Sequence, residues 1–178
     1  LYFFKPSSCF LASGEIIRRP QSYSGRVVYE GEIGIVIGKS CRNVDHSEAA
    51  KAIFGYTCIN DVTASDIINA DESFAQWTRS KGFDGFGVFG PVVATGLEPN
   101  DLEVVTFLNG DKRQHYPVSD MIIPPVEIVR LLSLDMTLEP GDVICCGTNV
   151  GVGAMKEKIN TIDINIDGIG TLSNVFHN

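Results

Sequence analysis

Two glutamates stand inside a run of strand-forming residues, and this placement limits how the chain can fold. Glu30 and Glu32 are separated only by Gly31 in VVYEGEIGIVIGK, residues 27–39. In a β-strand, residues i and i+2 lie on one face about 6.5 Å apart, so we predict one strand with two neighbouring carboxylates. A buried pair of this kind must raise a pKa or bind a cation. At an exposed edge, both carboxylates would simply be solvated.

The composition is that of an ordinary globular protein. The 178 residues are 44% hydrophobic and 20% charged, which is enough for one domain with a real core, predicted to span residues 1–178. The formal net charge of −8, without a cluster of lysines and arginines, argues against nucleic-acid binding. No apolar run reaches the roughly 18 residues that a membrane helix needs.

The five cysteines follow no metal-binding or disulfide pattern. Their odd number and the lack of a C-x-x-C spacing indicate the reduced thiols of an intracellular protein, and hence a cytoplasmic location. Cys145 and Cys146 lie in DVICCGT, which has the character of a buried strand. Because neighbouring strand residues point to opposite faces, we predict two small apolar fillers and no shared metal.

Strand signals outnumber helix signals along the chain. LYFFKPSS at residues 1–8 has strand character, and residues 159–176 alternate apolar and polar side chains around an Asp-Gly turn, as a hairpin does. Asp45 and Glu48 form a predicted capping box for a short helix. Pro124 opens a second predicted helix, PPVEIVRLLS. These elements predict one β-rich α+β domain.

Asp61 favours cation binding over a solvated edge for the glutamate pair. It lies in GYTCINDVTASD, residues 55–66, at the end of the next predicted strand. Three carboxylates offer only hard oxygen ligands, which suit magnesium, manganese or calcium better than zinc. An octahedral ion with three protein ligands keeps about three positions for water or substrate. A Lewis-acid catalyst needs such open positions.

Several ordered segments resemble the fumarylacetoacetate hydrolase family, and together they cover nearly the whole chain. The similar segments, in chain order, are FFKPSS, YEGEIGIVIGK, GYTCINDVTASD, QWTRSKGFDGFGVFGP, LNGDKRQ, LEPGDVICCGTNVGVG and IDGIGTLSN. The resemblance implies an α+β, β-rich fold, a mixed β-sandwich or β-roll with a few short helices. It also implies a homodimer.

The resemblance assigns roles to particular residues. Glu30, Glu32 and Asp61 correspond to the family's three ligands of a divalent metal, most often magnesium, with manganese or calcium as alternatives. Lys81 corresponds to the active-site lysine, which stabilises an enolate or holds a substrate carboxylate. Thr148 corresponds to a threonine whose hydroxyl and loop amides meet the substrate's carboxylate. Without the resemblance, Lys81 would be read as a surface lysine and Thr148 as part of a glycine-rich turn.

The reaction that the resemblance favours is metal-dependent hydrolysis of a C–C bond in a β-diketo acid, through a metal-chelated enolate. Isomerase, hydratase or decarboxylase chemistry on a related 2-oxo acid uses the same half-reaction and is the close alternative. A binder of small 2-oxo acids without turnover, and a metal-stabilised structural homodimer, are two further hypotheses.

The chain departs from the family pattern in places. Ser65 stands where the family often has arginine, and serine cannot replace a guanidinium's fork of donors. Asn149 follows Gly147-Thr148 where the family usually has proline. The chain begins without methionine, so we expect an upstream segment carrying the family's His–Glu lid, and no general base is assigned. The three histidines match no catalytic position and are predicted to have surface or loop roles; they are His46, His115 and His177.

Overall fold

Strands dominate the computed structural model, which describes residues 2–178. The strands are β1 (Phe10–Leu11), β2 (Ile16–Arg18), β3 (Val27–Tyr29), β4 (Gly31–Ile37), β5 (Ile53–Asp61), β6 (Thr63–Ala64), β7 (Gly87–Ala94), β8 (Glu103–Leu108), β9 (Asp111–Pro117), β10 (Val143–Cys145), β11 (Gly153–Ala154), β12 (Ile159–Ile166) and β13 (Gly170–His177). The helices are α1 (His46–Ala52), α2 (Ser65–Ile68), α3 (Trp77–Lys81) and α4 (Pro125–Asp135).

The strands form three sheets, of which the first and third have mixed direction and the second is antiparallel. The first sheet has the order β1-β7-β5-β4-β10, the second β11-β3-β6 and the third β2-β13-β12-β8-β9. Most neighbours are antiparallel, whereas β1 pairs with β7 and β2 with β13 in parallel. The predicted β-rich α+β class with a mixed sandwich and short helices is confirmed.

The core lies between the first and third sheets. Ile33 and Ile35 of β4 and Ile164 of β12 are fully buried, as is Leu172 of β13 at 1% exposure. Each such side chain contributes about 1.5–3 kcal/mol through burial. This packing brings β9 of the third sheet beneath β4 of the first, where the Tyr116 hydroxyl donates to the Gly31 carbonyl over 2.8 Å. The third sheet therefore packs against β4, the strand that carries Glu32, and holds it in position.

Both predicted helices form where their sequence signals lie. Asp45 and Glu48 make the capping box of α1, each side chain accepting from the other's backbone N–H. Pro125 occupies the first position of α4, where a missing N–H costs nothing. Of the helices in residues 2–178, none is long and apolar enough to cross a membrane.

The predicted single strand over residues 27–39 is wrong. The chain changes sheets at Glu30, so β3 belongs to the second sheet and β4 to the first. At the break, the Glu30 N–H donates to the Asn60 side chain over 3.1 Å, and its carbonyl accepts from the Asp61 N–H over 2.9 Å. Bonds to the end of β5 thus replace a continuous ladder and hold Glu30 beside Asp61.

Two smaller expectations also differ from the structure. The predicted strand over residues 1–8 is absent from residues 2–6, and residues Ser7–Cys9 form a 3-10 turn; Leu1 lies outside the described residues. Cys145 and Cys146 are half-buried, where full burial was expected. The predicted hairpin is confirmed by β12 and β13, whose turn contains Asp167.

A close approach at Gly31 makes this position intolerant of a side chain. A Cβ placed there would overlap the Thr106 Oγ1 of β8 and lie 3.2 Å from the Thr106 Cβ. We expect Gly31→Ala to lower the free energy of unfolding by about 1–3 kcal/mol, since packed cores resist added methyl groups. Urea unfolding of the variant measures this loss.

A double-mutant cycle with Thr106→Ala checks the cause. Within residues 2–178, the buried Thr106 Oγ1 has no hydrogen-bond partner, so truncating Thr106 breaks no such bond among them. Combining both changes should recover part of the Gly31→Ala loss. Purely additive losses would contradict the overlap as its origin.

Candidate metal-binding active site

Glu30, Glu32 and Asp61 converge at one end of the first sheet. Glu30 lies between β3 and β4, Glu32 on β4, and Asp61 at the last position of β5. One carboxylate oxygen from each lies within 4.8 Å of the others. Glu32 and Asp61 are only 1% and 2% exposed, and Glu30 is half-buried. The structure therefore brings the predicted carboxylates together in a protected position.

Lys81 is a buried member of the same cluster. It ends α3 and is 3% exposed. Its ammonium donates to Glu30 Oε2 over 2.7 Å, to Asp61 Oδ2 over 2.6 Å and to Thr63 Oγ1 over 2.8 Å. All three N–H groups are thus used within the protein. A substrate oxygen can accept from Lys81 only by replacing one of these acceptors.

The surroundings of Lys81 favour its charged form. Burial alone would lower the pKa of Lys81, but the charges of Asp61 and Glu30 and their hydrogen bonds raise it above its usual value. The ring centroid of Phe3 lies 5.5 Å from the ammonium and adds a cation–π contact. Lys81 is therefore a fixed positive charge inside the carboxylate cluster.

The two glutamates are held against their ionised forms. Burial, followed by the nearby charge of Asp61, raises the pKa of Glu32 well above its usual value. Burial also raises the pKa of Glu30, although Lys81 opposes the shift. A bound cation would offset both effects because it stabilises the ionised carboxylates. Protons and a cation therefore compete for Glu32, and cation affinity should increase with pH.

The loop that follows β10 closes over the Glu-Gly-Glu segment. The Gly147 N–H donates to Glu32 Oε2 over 2.8 Å, and the Thr148 hydroxyl donates to the Gly31 carbonyl over 2.8 Å. Gln114, on β9, donates to Thr148 Oγ1 over 2.8 Å and to the Asn149 carbonyl over 2.9 Å. Thr148 thus lies next to the carboxylates, while its contact with a substrate carboxylate stays a prediction.

The structure adds three residues that sequence reasoning missed. Thr63 is buried and accepts a hydrogen bond from the Lys81 ammonium. Gln114 is also buried, and it donates to Thr148 in the loop next to the carboxylates. Lys5 donates to Asp61 Oδ1 over 2.6 Å and to the carbonyl of Lys81. All three stand in segments that resemble the family, Lys5 in FFKPSS, Thr63 in GYTCINDVTASD and Gln114 in LNGDKRQ, but nothing in their residue types indicated a role.

Within residues 2–178, neither Ser65 nor any histidine forms a hydrogen bond with Glu30, Glu32 or Asp61. The Ser65 hydroxyl donates to the Arg26 carbonyl over 3.2 Å. His46 is exposed at the start of α1 and His115 pairs with Glu103 over 2.7 Å on the surface of β9. His177 is half-buried near the end of the chain, in β13.

The fold and this site together define a class of β-rich domain with a buried three-carboxylate centre. The family profile described as Fumarylacetoacetate (FAA) hydrolase C-terminal matches residues 1–177. The chain belongs to this family, as its ordered motifs predicted.

Relatives within the family carry several activity names. The structure of 2-hydroxyhepta-2,4-diene-1,7-dioate isomerase from Mycobacterium marinum is 43% identical, with a TM-score of 0.92 over 98% of this chain and 68% of that one. Fumarylacetoacetate hydrolase from Exiguobacterium antarcticum is 38% identical, with a TM-score of 0.90 over 98% and 65% of the two chains. Oxaloacetate tautomerase YisK from Bacillus subtilis is 37% identical over 98% of this chain and 60% of its own length.

The residues present fit a divalent metal. Three carboxylate oxygens within 4.8 Å of one another form a compact set of hard donors, the type that magnesium, manganese and calcium prefer. Two ammonium groups, from Lys5 and Lys81, contact the cluster. With all groups ionised, one net negative charge remains to favour cation binding.

Proposed function

We propose that the full-length protein is a divalent-metal-dependent enzyme that isomerises or tautomerises a small 2-oxo acid. The observation that carries the proposal is the convergence of Glu30, Glu32 and Asp61, with the buried Lys81 ammonium bonded to Glu30 and Asp61. The chain is also similar to an isomerase and to a tautomerase. Such reactions move a proton through an enol or enolate, and this cluster contains groups suited to that charge.

Glu30, Glu32 and Asp61 would hold the cation. When bound, a divalent metal supplies a Lewis acid that polarises a carbonyl oxygen and attracts a carboxylate. Adding two positive charges to a cluster with one net negative charge reverses its sign. The site then complements an anionic substrate group, which supports a 2-oxo acid as the ligand.

Lys81 would stabilise the negative oxygen that develops during proton transfer. Its bond to Thr63 Oγ1 is the one most readily exchanged, because its acceptor is neutral whereas Glu30 and Asp61 offer charge-assisted bonds. Lys81 can therefore stay anchored by its bond to Glu30 while it donates an N–H to a substrate oxygen. Its burial keeps water away and strengthens that interaction.

Hydrolysis of a C–C bond in a β-diketo acid is the second candidate. The Exiguobacterium relative, named fumarylacetoacetate hydrolase, supports it, and the family motifs first favoured it. Hydrolysis shares the enolate-stabilising part of the reaction but also needs a positioned water molecule. The isomerase and tautomerase names give the first candidate at least equal support.

Assays of the full-length protein separate these reactions. The purified protein is first treated with a chelator to remove bound metal. It is then assayed with enol oxaloacetate or an acylpyruvate as substrate, with and without added Mg²⁺. We expect metal-dependent conversion of the enol to the keto form without pyruvate release. Pyruvate from the acylpyruvate would instead indicate hydrolysis, and pyruvate from oxaloacetate would indicate decarboxylation. No metal-dependent turnover of either substrate would contradict the enzyme proposal.

Oxalate tests the alternative of a binder without turnover, because it mimics the enolate of pyruvate. A thermal shift with oxalate that requires Mg²⁺, in the absence of any turnover, would favour that alternative. A shift without Mg²⁺ would contradict the proposed role of the metal.

We also propose a homodimer, as the family resemblance implies. Several large apolar side chains are more than half exposed, including Phe54 at 57%, Phe74 at 70% and Ile122 at 99%. Such side chains could be buried in a subunit interface. Light scattering coupled to size exclusion checks this assembly, and a monomeric mass would contradict it.

A further inference from the structure

Lys5 holds one side of the Asp61 carboxylate. Its ammonium donates to Asp61 Oδ1 over 2.6 Å, while Lys81 takes Asp61 Oδ2 over 2.6 Å. The Lys5 side chain is 10% exposed, and the same ammonium also donates to the carbonyl of Lys81. Each oxygen of Asp61 is therefore engaged by a different lysine.

The backbone around Lys5 keeps this contact in place. Gly87 of β7 lies opposite Asp61 in the sheet and opposite Phe10 of β1. A Cβ at Gly87 would lie 3.3 Å from the Lys5 Cε and would overlap the Cys9 sulfur. The bare glycine thus leaves the space through which the Lys5 side chain reaches Asp61. A 3-10 turn after Pro6, closed by a 3.0 Å bond from the Cys9 N–H, holds the segment in position.

The way Asp61 is held has a consequence for which cation fits. Calcium takes six to eight oxygens and often binds both oxygens of a carboxylate, whereas magnesium requires about six in a compact octahedron. The Lys5 ammonium places a positive charge directly against Oδ1 and so repels a cation from that oxygen, which leaves Oδ2 as the ligand oxygen that Asp61 can offer while it keeps the Lys5 bond. Lys81 can leave Oδ2 more easily than Lys5 can leave Oδ1, because Lys81 has two other side-chain acceptors, Glu30 and Thr63.

We propose that Lys5 is a specificity-determining residue that restricts Asp61 to one ligand oxygen and so favours magnesium or manganese over calcium. The inference rests on the proposed metal-dependent function and concerns the same site. It assigns Lys5 a positioning role, since it acts on the cation through Asp61.

The test compares two cations of equal charge. Removing the Lys5 charge changes the attraction of the site for any divalent ion, so the affinity for one ion alone cannot reveal positioning. In the ratio of calcium to magnesium dissociation constants, this charge effect cancels to first order. Calorimetric titration of the full-length, chelator-treated protein with Mg²⁺ or Ca²⁺ alone, without substrate, gives that ratio.

For the unmodified protein we expect tighter binding of Mg²⁺ than of Ca²⁺. In Lys5→Met the preference should fall by about tenfold or more, within the range typical of changes to groups that orient metal ligands. Lys5→Arg keeps a charged donor and should retain part of the preference. Lys39→Met, at an exposed position away from the carboxylates, is the matched control and should keep all of it.

The outcomes are distinguishable. If Lys5→Met changes both affinities by the same factor, or neither, Lys5 has only a structural or electrostatic role and the inference is wrong. If Lys5→Met does not fold, the unmodified protein still decides, because equal or tighter binding of Ca²⁺ would overturn the inference. If the unmodified protein binds neither cation, the proposed metal-dependent function itself fails.

Discussion

Lys81→Met is expected to reduce the turnover number about 10²- to 10³-fold, the usual effect of losing one donor to a developing oxyanion. Methionine keeps the length and apolar stem of the lysine but removes its three N–H donors. The Michaelis constant should change less, because the lost interaction strengthens as charge develops. Steady-state kinetics at saturating Mg²⁺ measure both quantities.

The same substitution should also lower stability in a metal-dependent way. It leaves the half-buried Glu30 carboxylate and the buried Asp61 carboxylate without the ammonium that now lies 2.7 and 2.6 Å away. Breaking a buried ion pair costs about 3–5 kcal/mol. Added Mg²⁺ should restore much of this loss by supplying positive charge to the same oxygens.

Urea unfolding with EDTA and with Mg²⁺ checks the stability effect, with Lys39→Met as a matched exposed control. Turnover of Lys81→Met within twofold of the unmodified protein would rule out the catalytic role. A loss of stability that Mg²⁺ does not reduce would show that Lys81 and the cation act at separate places.

Glu32→Gln is expected to abolish tight cation binding and yet stabilise the protein in EDTA. The side chain is 1% exposed, and burial together with Asp61 raises the pKa of its carboxyl group. An amide has nearly the same shape, needs no ionisation, and its oxygen can still accept from the Gly147 N–H. A gain of about 1 kcal/mol would raise the melting temperature by roughly 2–4 °C in a chain of this size.

The sign of the pH dependence follows from the raised pKa. In the folded protein the pKa of Glu32 lies above its usual value of 4.5. The protonated carboxyl group therefore makes its full contribution to stability below pH 4.5. The contribution is lost as the pH rises through the raised pKa. The stabilising effect of Glu32→Gln should therefore grow from acidic towards neutral pH.

Thermal melts between acidic and neutral pH, paired with calorimetric Mg²⁺ titrations, test both parts of this expectation. Glu72→Gln changes an exposed glutamate in the same way and serves as the control. Undiminished Mg²⁺ affinity in Glu32→Gln would remove Glu32 from the metal site. A lower melting temperature in EDTA would contradict the burial argument.

Local signals in the sequence identified the elements that depend on neighbouring residues. The capping box of α1 and the Asp-Gly turn between β12 and β13 involve residues close in the chain, so their patterns were readable. The paired spacing of Glu30 and Glu32 left a cation site and a solvated edge both open, and Asp61 favoured the cation site by completing a set of three carboxylates. The ordered motifs then identified the family.

Distant contacts decided what these local patterns left open. The strand break at Glu30 depends on bonds to Asn60 and Asp61, about thirty residues away along the chain. Lys81 is buried because α3 ends against the carboxylates. Its residue type alone does not distinguish Lys81 from the other lysines of the chain.

By itself, then, the sequence determined the β-rich class, the family and the three acidic residues that converge at one place, because residue spacing and type carry that information directly. Only the tertiary structure decided that Lys5 and Lys81 each take one oxygen of Asp61. The physical reason is that charges interact through space, so pairings among residues 5, 61 and 81 appear only once the sheets pack and exclude water.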